Sequence, residues 1–358
     1  MSDVLIIKTN ECGIRKTVNE LLEHFPLKVK DKRILIKPNI LGPFPPERGV
    51  TTSPEVVRAV LDAVIDMGAR EVWVGDNPGI GGYGANLKAG VISGITNATG
   101  KYFTNIGEEV VRIPVRSRYV KSVVFSKYVV DADIIINLPR FKTHNLTQLT
   151  GAIKNTFGYI AGGMKSWLHT RGRTSREFSE LIVDIYARRV PDLTIVDGLT
   201  AMEGRGPSNG RLRHLGILMA SYDGVACDYT IARMMGTKPN SIFQIKYASK
   251  TGLFSPENVR IKGDYTELED FEMPTISSPI ISYIANHLVF PHIYPKPVVN
   301  EERCINCGNC QAICPTNAME QFPHINYDRC IKCYCCQETC PQDAVELKGF
   351  IYEILKRR

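Results

Sequence analysis

The sequence lacks any apolar run that approaches the roughly 20 residues needed by a membrane-spanning helix. The nearest candidate, Ile276–Val289, is interrupted by Pro279, Asn286 and His287. The first residues also lack the basic start and long apolar core of a secretory signal. These absences predict a soluble, cytoplasmic protein with no transmembrane segment.

Cysteine is scarce before residue 300, where only Cys12 and Cys227 occur, whereas the rest of the 11 cysteines fall between Cys304 and Cys340. A secreted disulfide scaffold also concentrates cysteines, but the spacing here is regular and repeated. This regularity indicates ligands of a metal centre rather than disulfides.

The composition is that of an ordinary globular chain. Its 358 residues are 44% hydrophobic and 23% charged, which excludes disorder, collagen-like repeats and a mini-protein. At roughly 100–200 residues per domain, the length predicts two or three units. The net charge of +7 favours an anionic small-molecule substrate or an acidic redox partner such as a ferredoxin, and we expect no nucleic-acid partner.

A four-cysteine motif occurs twice near the C-terminus, each time with the spacing C-x2-C-x2-C-x3-C-P. Its first copy contains Cys304, Cys307, Cys310 and Cys314, and its second contains Cys330, Cys333, Cys336 and Cys340. In such runs three thiolates bind one cubane while the fourth reaches the other cluster. We therefore expect two [4Fe-4S] clusters, with Cys304, Cys307, Cys310 and Cys340 on cluster 1 and Cys330, Cys333, Cys336 and Cys314 on cluster 2.

Zinc is the alternative occupant, because CxxC pairs also build zinc ribbons. Zinc sites, however, do not explain a four-cysteine run that is repeated together with its proline. Residues 300–346 resemble a bacterial-type two-cluster ferredoxin domain. That resemblance implies an α+β fold and electron transfer. The additional Cys335 is interpreted as a small buried residue beside a ligand.

Residues 1–272 alternate short β-rich runs with helical periods, which predicts an α/β domain with a layered, mostly parallel sheet and flanking helices. The predicted strands are Val4–Lys8, Arg33–Lys37, Glu71–Gly75, Asp133–Asn137, Leu193–Asp197 and Gly216–Ala220. The predicted helices include Ser53–Met67 with Ser53 as its cap, Phe178–Arg189, and Tyr222–Met235 with Asp223 as its cap. Residues 273–299 are expected to form a proline-rich strap, and residues 347–358 a basic helix.

Polar segments follow several predicted strands, where open α/β sheets bind ligands. Lys37 and Asn39 follow the second strand, and Thr51 and Thr52 precede a helix. Together they are candidates for binding an anionic substrate. Helix capping by the hydroxyl groups is the alternative, and the two roles can coexist.

A glycine-rich segment at 79–84 follows Asp76, a candidate catalytic residue at the tip of the third strand. Gly79, Gly81 and Gly84 satisfy G-x-G-x-x-G, but Asp-Asn-Pro separates them from the strand. A dinucleotide-binding fingerprint instead opens a helix directly after its strand. The spacing therefore indicates a loop that covers a substrate rather than a Rossmann dinucleotide-binding site.

The densest candidate chemistry lies between residues 137 and 155. Lys142 and Asn155 are candidate substrate ligands, Lys154 is a candidate catalytic lysine, and His144 is a candidate for proton transfer. A solvated basic face is the alternative. It explains isolated lysines better than it explains a histidine and an asparagine among threonines and glycines.

Three acidic residues complete the candidate site. Asp197 and Glu203 are candidates for a base or for metal ligands, and Glu203 is assigned to substrate binding. Alternatively, Asp197 fixes its own turn. Asp228, in an otherwise apolar helix, is a candidate catalytic residue.

Residues 1–272 resemble the domain-of-unknown-function 362 family. The resemblance rests on Lys-Pro-Asn at 37–39, Thr-Thr-Ser-Pro-Glu-Val-Val-Arg-Ala-Val at 51–60, Gly-Asp-Asn-Pro-Gly at 75–79, Lys-Thr-His at 142–144, Thr-Gly-Ala-Ile-Lys-Asn at 150–155, Asp-Gly-Leu-Thr-Ala-Met-Glu-Gly at 197–204 and the stretch that contains Asp223 and Asp228. It implies that these motifs cluster into one site, and members are often fused to ferredoxin domains.

Two functions follow from the sequence. The first is an iron-sulfur oxidoreductase of anaerobic metabolism that passes low-potential electrons to or from an anionic substrate. The second is a non-catalytic electron-transfer or redox-sensing protein that docks a partner. Polar strand ends favour the enzyme, because a docking surface does not need them.

Overall fold

The computed structural model describes residues 1–78, 85–144, 146–172, 174–204, 206–208, 210–274, 296–308, 310–311, 314, 317–320, 322–330, 336, 340, 342 and 344–348. The glycine-rich loop at 79–84, most of the strap, Cys333, Cys335 and the segment 349–358 lie outside the described residues.

A mixed, mostly parallel sheet of nine strands forms the centre of the first 274 residues, which confirms the predicted fold class. The strands along the chain are β1 (Ser2–Lys8), β2 (Arg33–Pro38), β3 (Glu71–Val74), β4 (Val110–Pro114), β5 (Ser122–Ser126), β6 (Ile134–Leu138), β7 (Arg140–His144), β8 (Gln148–Leu149), β9 (Leu193–Glu203), β10 (Arg211–Ser221) and β11 (Val259–Gly263). The order in the sheet is β11-β1-β10-β9-β6-β2-β3, with β7 beside β9 and β8 beside β7. Strands β4 and β5 form a separate antiparallel hairpin.

Helices cover both faces of this sheet. They are α1 (Ile14–His24), α2 (Pro54–Asp66), α3 (Ala85–Ile92), α4 (Ile95–Thr99), α5 (Lys127–Asp131), α6 (Gly151–Asn155), α7 (Met164–Arg171), α8 (Ser175–Arg188), α9 (Gly224–Met234) and α10 (Phe243–Lys250). One apolar cluster joins α1 and α2 to the sheet, and a larger one joins α8, α9, α10 and the hairpin to it. Strands β2 and β6 contribute to both clusters, since buried parallel strands carry apolar side chains on both faces.

The helix termini follow the sequence signals with one exception. Asp223 accepts hydrogen bonds from the N–H groups of Val225 and Ala226 and caps α9, as predicted. Ser53 occupies the cap position of α2, but its side chain makes no capping bond. Its Oγ atom instead accepts a hydrogen bond of 2.7 Å from Arg140. Serine at this position therefore connects the helix to β7.

Two parts of the sheet differ from the prediction. Strands β9 and β10 are much longer than predicted and pair antiparallel to each other. The sequence predicts a polar segment after the strand Asp133–Asn137, but Arg140–His144 of that segment form the strand β7. It is a strand because it pairs with β9, a contact that local sequence does not encode.

The C-terminal region contains a second, two-stranded sheet. Strand β12 (Lys296–Val299) pairs antiparallel with β13 (Val345–Lys348). The last four residues of the predicted strap are thus a strand, and Leu347 and Lys348 belong to a strand instead of the predicted basic helix. Among the described helices, none combines the length and apolar character needed to cross a membrane.

Candidate functional site

The site is built around a buried ion pair at the carboxyl ends of two parallel strands. Lys37 Nζ, in β2, lies 2.8 Å from Asp76 Oδ1, two residues beyond β3. Their side chains are 0% and 4% exposed. The backbone N–H of Ile40 donates to Asp76 Oδ2 over 2.7 Å, so the carboxylate also fixes the turn after β2. Burial lowers the pKa of Lys37, and Asp76 opposes this shift.

Helix α6 is tied to the same strand ends by two asparagines. Lys37 Nζ donates to Asn155 Oδ1 over 3.1 Å, and Asn155 Nδ2 donates to Asn137 Oδ1 over 2.8 Å. The backbone of Gly158 passes so close to the Lys37–Asp76 ion pair that a Cβ atom on this residue would lie 1.9 Å from Asp76 Oδ1. The segment after α6 therefore requires glycine at this position.

Lys142, in β7, is a buried lysine that forms no ion pair with any of the described residues. Its Nζ atom donates to the carbonyl oxygen of Val50 over 2.7 Å, and its side chain has no other acceptor among the described residues. Its exposure is 1%. Burial places the pKa of Lys142 well below its usual value, and the charges of Arg140 and Lys154 lower it further. Because an ammonium group has three donors, two N–H directions remain for a ligand.

Lys154 and His144 lie within electrostatic reach of Lys142 and are half-buried. Lys154 Nζ lies 4.6 Å from the centre of the Phe157 ring. His144 Nδ1 accepts a hydrogen bond of 3.1 Å from the N–H of Leu146, which leaves the proton of the neutral ring on Nε2. Burial and the charges of Lys154 and Lys142 hold the pKa of His144 well below its usual value. The neutral ring thus offers an N–H donor at neutral pH.

The candidate anion ligands that precede α2 are only partly available to a ligand. Thr52 Oγ1 accepts from the N–H of Asn39 over 2.8 Å and donates to the carbonyl oxygen of Leu138 over 2.7 Å, so Thr52 is engaged in the fold. Thr51 Oγ1 and Asn39 Oδ1 are buried and have no hydrogen-bond partner among the described residues. They remain candidates for contacts with a ligand.

A second buried ion pair joins β7 to β9. Arg140, in β7, pairs with Asp197 of β9, and the carboxylate also accepts from the N–H of Ser53 over 2.7 Å. Asp197 thereby occupies the N-terminus of α2, where an anion was expected to bind. The hypothesis that Asp197 acts as a base or metal ligand does not fit these contacts.

Two predicted site residues have other roles. Glu203 is buried and forms ion pairs with Arg211 and Arg213, so its charge is used within the β9–β10 pair. Asp228 accepts from the N–H groups of Ala152 and Ile153, over 2.5 and 3.0 Å, and holds the start of α6. Burial raises the pKa of Asp228 to about 7. It contacts the backbone of the site helix and is a positioning residue.

Lys165 of α7 also contacts the site, although it is not among the candidate residues predicted from the sequence. Its amine donates to the backbone carbonyl oxygens of Asn77 and, over 3.4 Å, Pro78, just beyond Asp76. Asn77 in turn donates from Nδ2 to the carbonyl oxygen of Gly158 over 2.8 Å. The sequence carries no local signal for Lys165, because the contact spans 88 positions of the chain.

The C-terminal region has its own candidate site. A small cavity is lined by four cysteines together with apolar residues. These cysteines are Cys304, Cys307, Cys310 and Cys340. Three come from the first motif and one from the second, in agreement with the crossed arrangement that the spacing predicts. The cysteine lining suits a thiolate-bound cluster.

The sequence duplication reappears in the contacts of this region. Cys314 Sγ accepts from the N–H of Ala318 and Cys340 Sγ from the N–H of Ala344, each over 3.2 Å. Such N–H donors to sulfur help to set the reduction potential of a cluster.

Comparison with known proteins matches residues 34–233, more than half of the chain, to the family "Domain of unknown function (DUF362)". The chain belongs to this family. Residues 297–320 and 323–346 of this DUF362 protein match the 4Fe-4S binding domain, once per repeat. The two repeats bind two [4Fe-4S] clusters, which serve electron transfer.

This DUF362 protein is also similar to a curated relative, the thylakoid-associated protein of Synechocystis sp. The two are 35% identical over 231 residues, which covers 62% of this chain and 68% of the relative. The relative's description names a membrane system. A cytoplasmic location of this chain therefore stays a prediction.

Proposed function

We propose that this DUF362 protein is an iron-sulfur oxidoreductase that passes electrons between its two [4Fe-4S] clusters and an anionic small molecule bound near Lys142. The clusters supply one-electron carriers of low potential. The residues of the α/β domain bind and orient the anion.

The observation that carries the proposal is the difference between two buried lysines. Lys37 has Asp76 as its counter-charge, whereas Lys142 has a single carbonyl oxygen as its partner among the described residues. Burying an ammonium group without compensation costs several kcal/mol. A bound anion would compensate the charge of Lys142, and His144 Nε2–H, Thr51 and Asn39 offer neighbouring polar groups.

Anion binding is tested by calorimetry on the anaerobically purified full-length protein. Phosphate, sulfate, acetate and oxalate are titrated at low salt in two buffers of different ionisation enthalpy. We expect binding to take up protons, because an anion raises the lowered pKa of Lys142. Lys142→Met should lose at least tenfold in affinity. The matched control is Lys127→Met, which removes an exposed lysine paired with Glu109 and should leave binding unchanged.

Electron transfer is tested on the same protein after reduction with dithionite. Each carboxylate or phosphate compound of a redox panel is added, and the EPR signal of the reduced clusters is followed. Oxidation of the clusters by one compound in wild type but not in Lys142→Met would support the enzyme. Equal affinities of wild type and Lys142→Met, or clusters that no compound oxidises, would contradict it.

A second candidate function is an electron carrier or redox sensor that docks an acidic partner such as a ferredoxin. Arg116 and Lys121 are exposed near the β4–β5 hairpin. Two further cations there are already neutralised, because Arg118 pairs with Glu180 and Lys127 with Glu109. A rate of electron transfer from a ferredoxin that falls with added salt, and falls in Arg116→Ala, would favour this candidate.

A further inference from the structure

We propose that Lys154 Nζ is a nucleophilic amine that forms an imine with the carbonyl group of an anionic aldehyde or 2-oxo acid. This inference deepens the proposed function, on which it rests only for the anionic character of the substrate. It narrows the substrate class to compounds with a carboxylate beside a reactive carbonyl.

The first argument is the lack of an acceptor for this amine. Lys154 Nζ lies over the ring of Phe157 at 4.6 Å and at 5.8 Å from the ring of Phe178. Within the described part of the chain it donates no hydrogen bond and has no carboxylate within 4 Å. Lys37 and Lys165, in contrast, are held by acceptors. Among the described residues, the amine of Lys154 is therefore not held in place by a hydrogen bond or an ion pair.

The second argument is accessibility. The side chain of Lys154 is half-buried, while Lys37 is fully buried. A small molecule can reach the former without displacing part of the core. The apolar walls of Phe157 and Phe178 exclude some water from the amine, which favours its neutral form.

The third argument is the charge around the amine. The positive charges of Lys165 in α7 and Lys37 in β2 lower the pKa of Lys154, whereas the negative charge of Asp76, beyond β3, raises it. His144 and Lys142 of β7 and His169 of α7 also lie within electrostatic reach. Burial first, and then Lys165, lowers the pKa of Lys154 to about 7. At neutral pH its reactive neutral fraction is then about a thousand times that of a lysine with a pKa near 10.4.

The reaction is balanced without any electron transfer. The neutral amine nitrogen bonds to the carbonyl carbon and the carbonyl π electrons move to oxygen. The nitrogen then loses its two protons, the oxygen gains two, and the C–O bond breaks to release water. A C=N bond replaces the C=O bond. The carboxylate of the substrate would face Lys142, whose free N–H directions suit it.

The inference is tested with glyoxylate and cyanoborohydride, which reduces the imine to a stable secondary amine. The full-length protein is labelled anaerobically at pH 7, and the labelled peptides are quantified by mass spectrometry. We expect Lys154 to be labelled at least 100-fold faster than Lys101. Lys101 is a matched control, because its Nζ atom also lies over a ring, that of Tyr102 at 5.3 Å, but its side chain is exposed.

The pH profile and a second aldehyde complete the test. The labelling rate of Lys154 should reach half of its maximum near pH 7. Labelling no faster than that of Lys101, or a midpoint near pH 10, would overturn the proposal even if Lys142 binds anions. Acetaldehyde carries no charge. Equally fast labelling by acetaldehyde and by glyoxylate would contradict an anionic substrate class, but it would still support Lys154 as the nucleophile. Lys154→Arg keeps a positive charge and should abolish labelling at this position.

Discussion

Lys37 Nζ and Asp76 Oδ1 lie 2.8 Å apart at the ends of two neighbouring parallel strands, with both side chains buried. The pair neutralises one of the lysines in the site and connects β2 to the segment after β3. Lys142, in β7, lacks such a partner among the described residues. The site thus combines a lysine engaged in the fold with one whose charge remains available to a ligand.

The first prediction concerns this ion pair. Asp76→Asn should lower the free energy of unfolding by about 3 kcal/mol, because it leaves Lys37 buried without its counter-charge. Urea unfolding followed by tryptophan fluorescence measures this, since both tryptophans, Trp73 and Trp167, lie in the α/β domain. As a control, Glu109→Gln breaks an exposed pair with Lys127 and should cost at most about 1 kcal/mol. Equal losses in the two variants would contradict the role of the buried pair.

The second prediction concerns the close approach at Gly158. Gly158→Ala places a Cβ atom 1.9 Å from Asp76 Oδ1 and 2.7 Å from Lys37 Cε, so one of these groups must move. The same unfolding measurement should show a loss greater than that of Gly100→Ala. Gly100 has a left-handed backbone with φ of 55°, but a Cβ there meets no atom within 4 Å. A loss in Gly158→Ala no greater than that in Gly100→Ala would contradict the close approach at Gly158.

The third prediction is a pH dependence of stability. The pKa of Lys154 is about 7 in the folded protein and about 10.4 in an unfolded chain, so the unfolded state binds more protons between these values. Stability therefore rises with pH through this window. We expect a steeper rise from pH 7 to 9.5 in wild type than in Lys154→Met, measured by urea unfolding. Lys101→Met should follow wild type, and a Lys154→Met curve parallel to wild type would refute the lowered pKa.

The fourth prediction concerns the clusters. The anaerobic protein should contain about eight iron atoms per chain, as two cubanes require. Cys340→Ser should damage cluster 1 and Cys314→Ser cluster 2, because each fourth ligand crosses to the other motif. EPR of the reduced variants distinguishes the two. Cys335→Ser should leave both clusters intact, and damage to cluster 2 alone in Cys340→Ser would mean that the ligand assignment is wrong.

Much of the architecture could be predicted from local sequence. The apolar runs of β2 and β6 and the periodicity of α2 are encoded by consecutive residues, and so is the cap of α9 at Asp223. The duplicated cysteine motif likewise fixed the cluster type, because iron-sulfur ligation depends on short spacings along the chain. These features need no knowledge of distant contacts.

The sequence also predicted that Lys37, Lys142, His144 and Lys154 would contribute to one site, since the carboxyl ends of parallel strands meet at one edge of a sheet. Tertiary structure decided how their charges are distributed. Asp76 lies next to Lys37 rather than Lys142, Asp197 pairs with Arg140, and Asp228 binds the backbone of α6. Such pairings join residues far apart in the chain. Composition and spacing do not record which carboxylate reaches which cation, because only the folded backbone sets those distances.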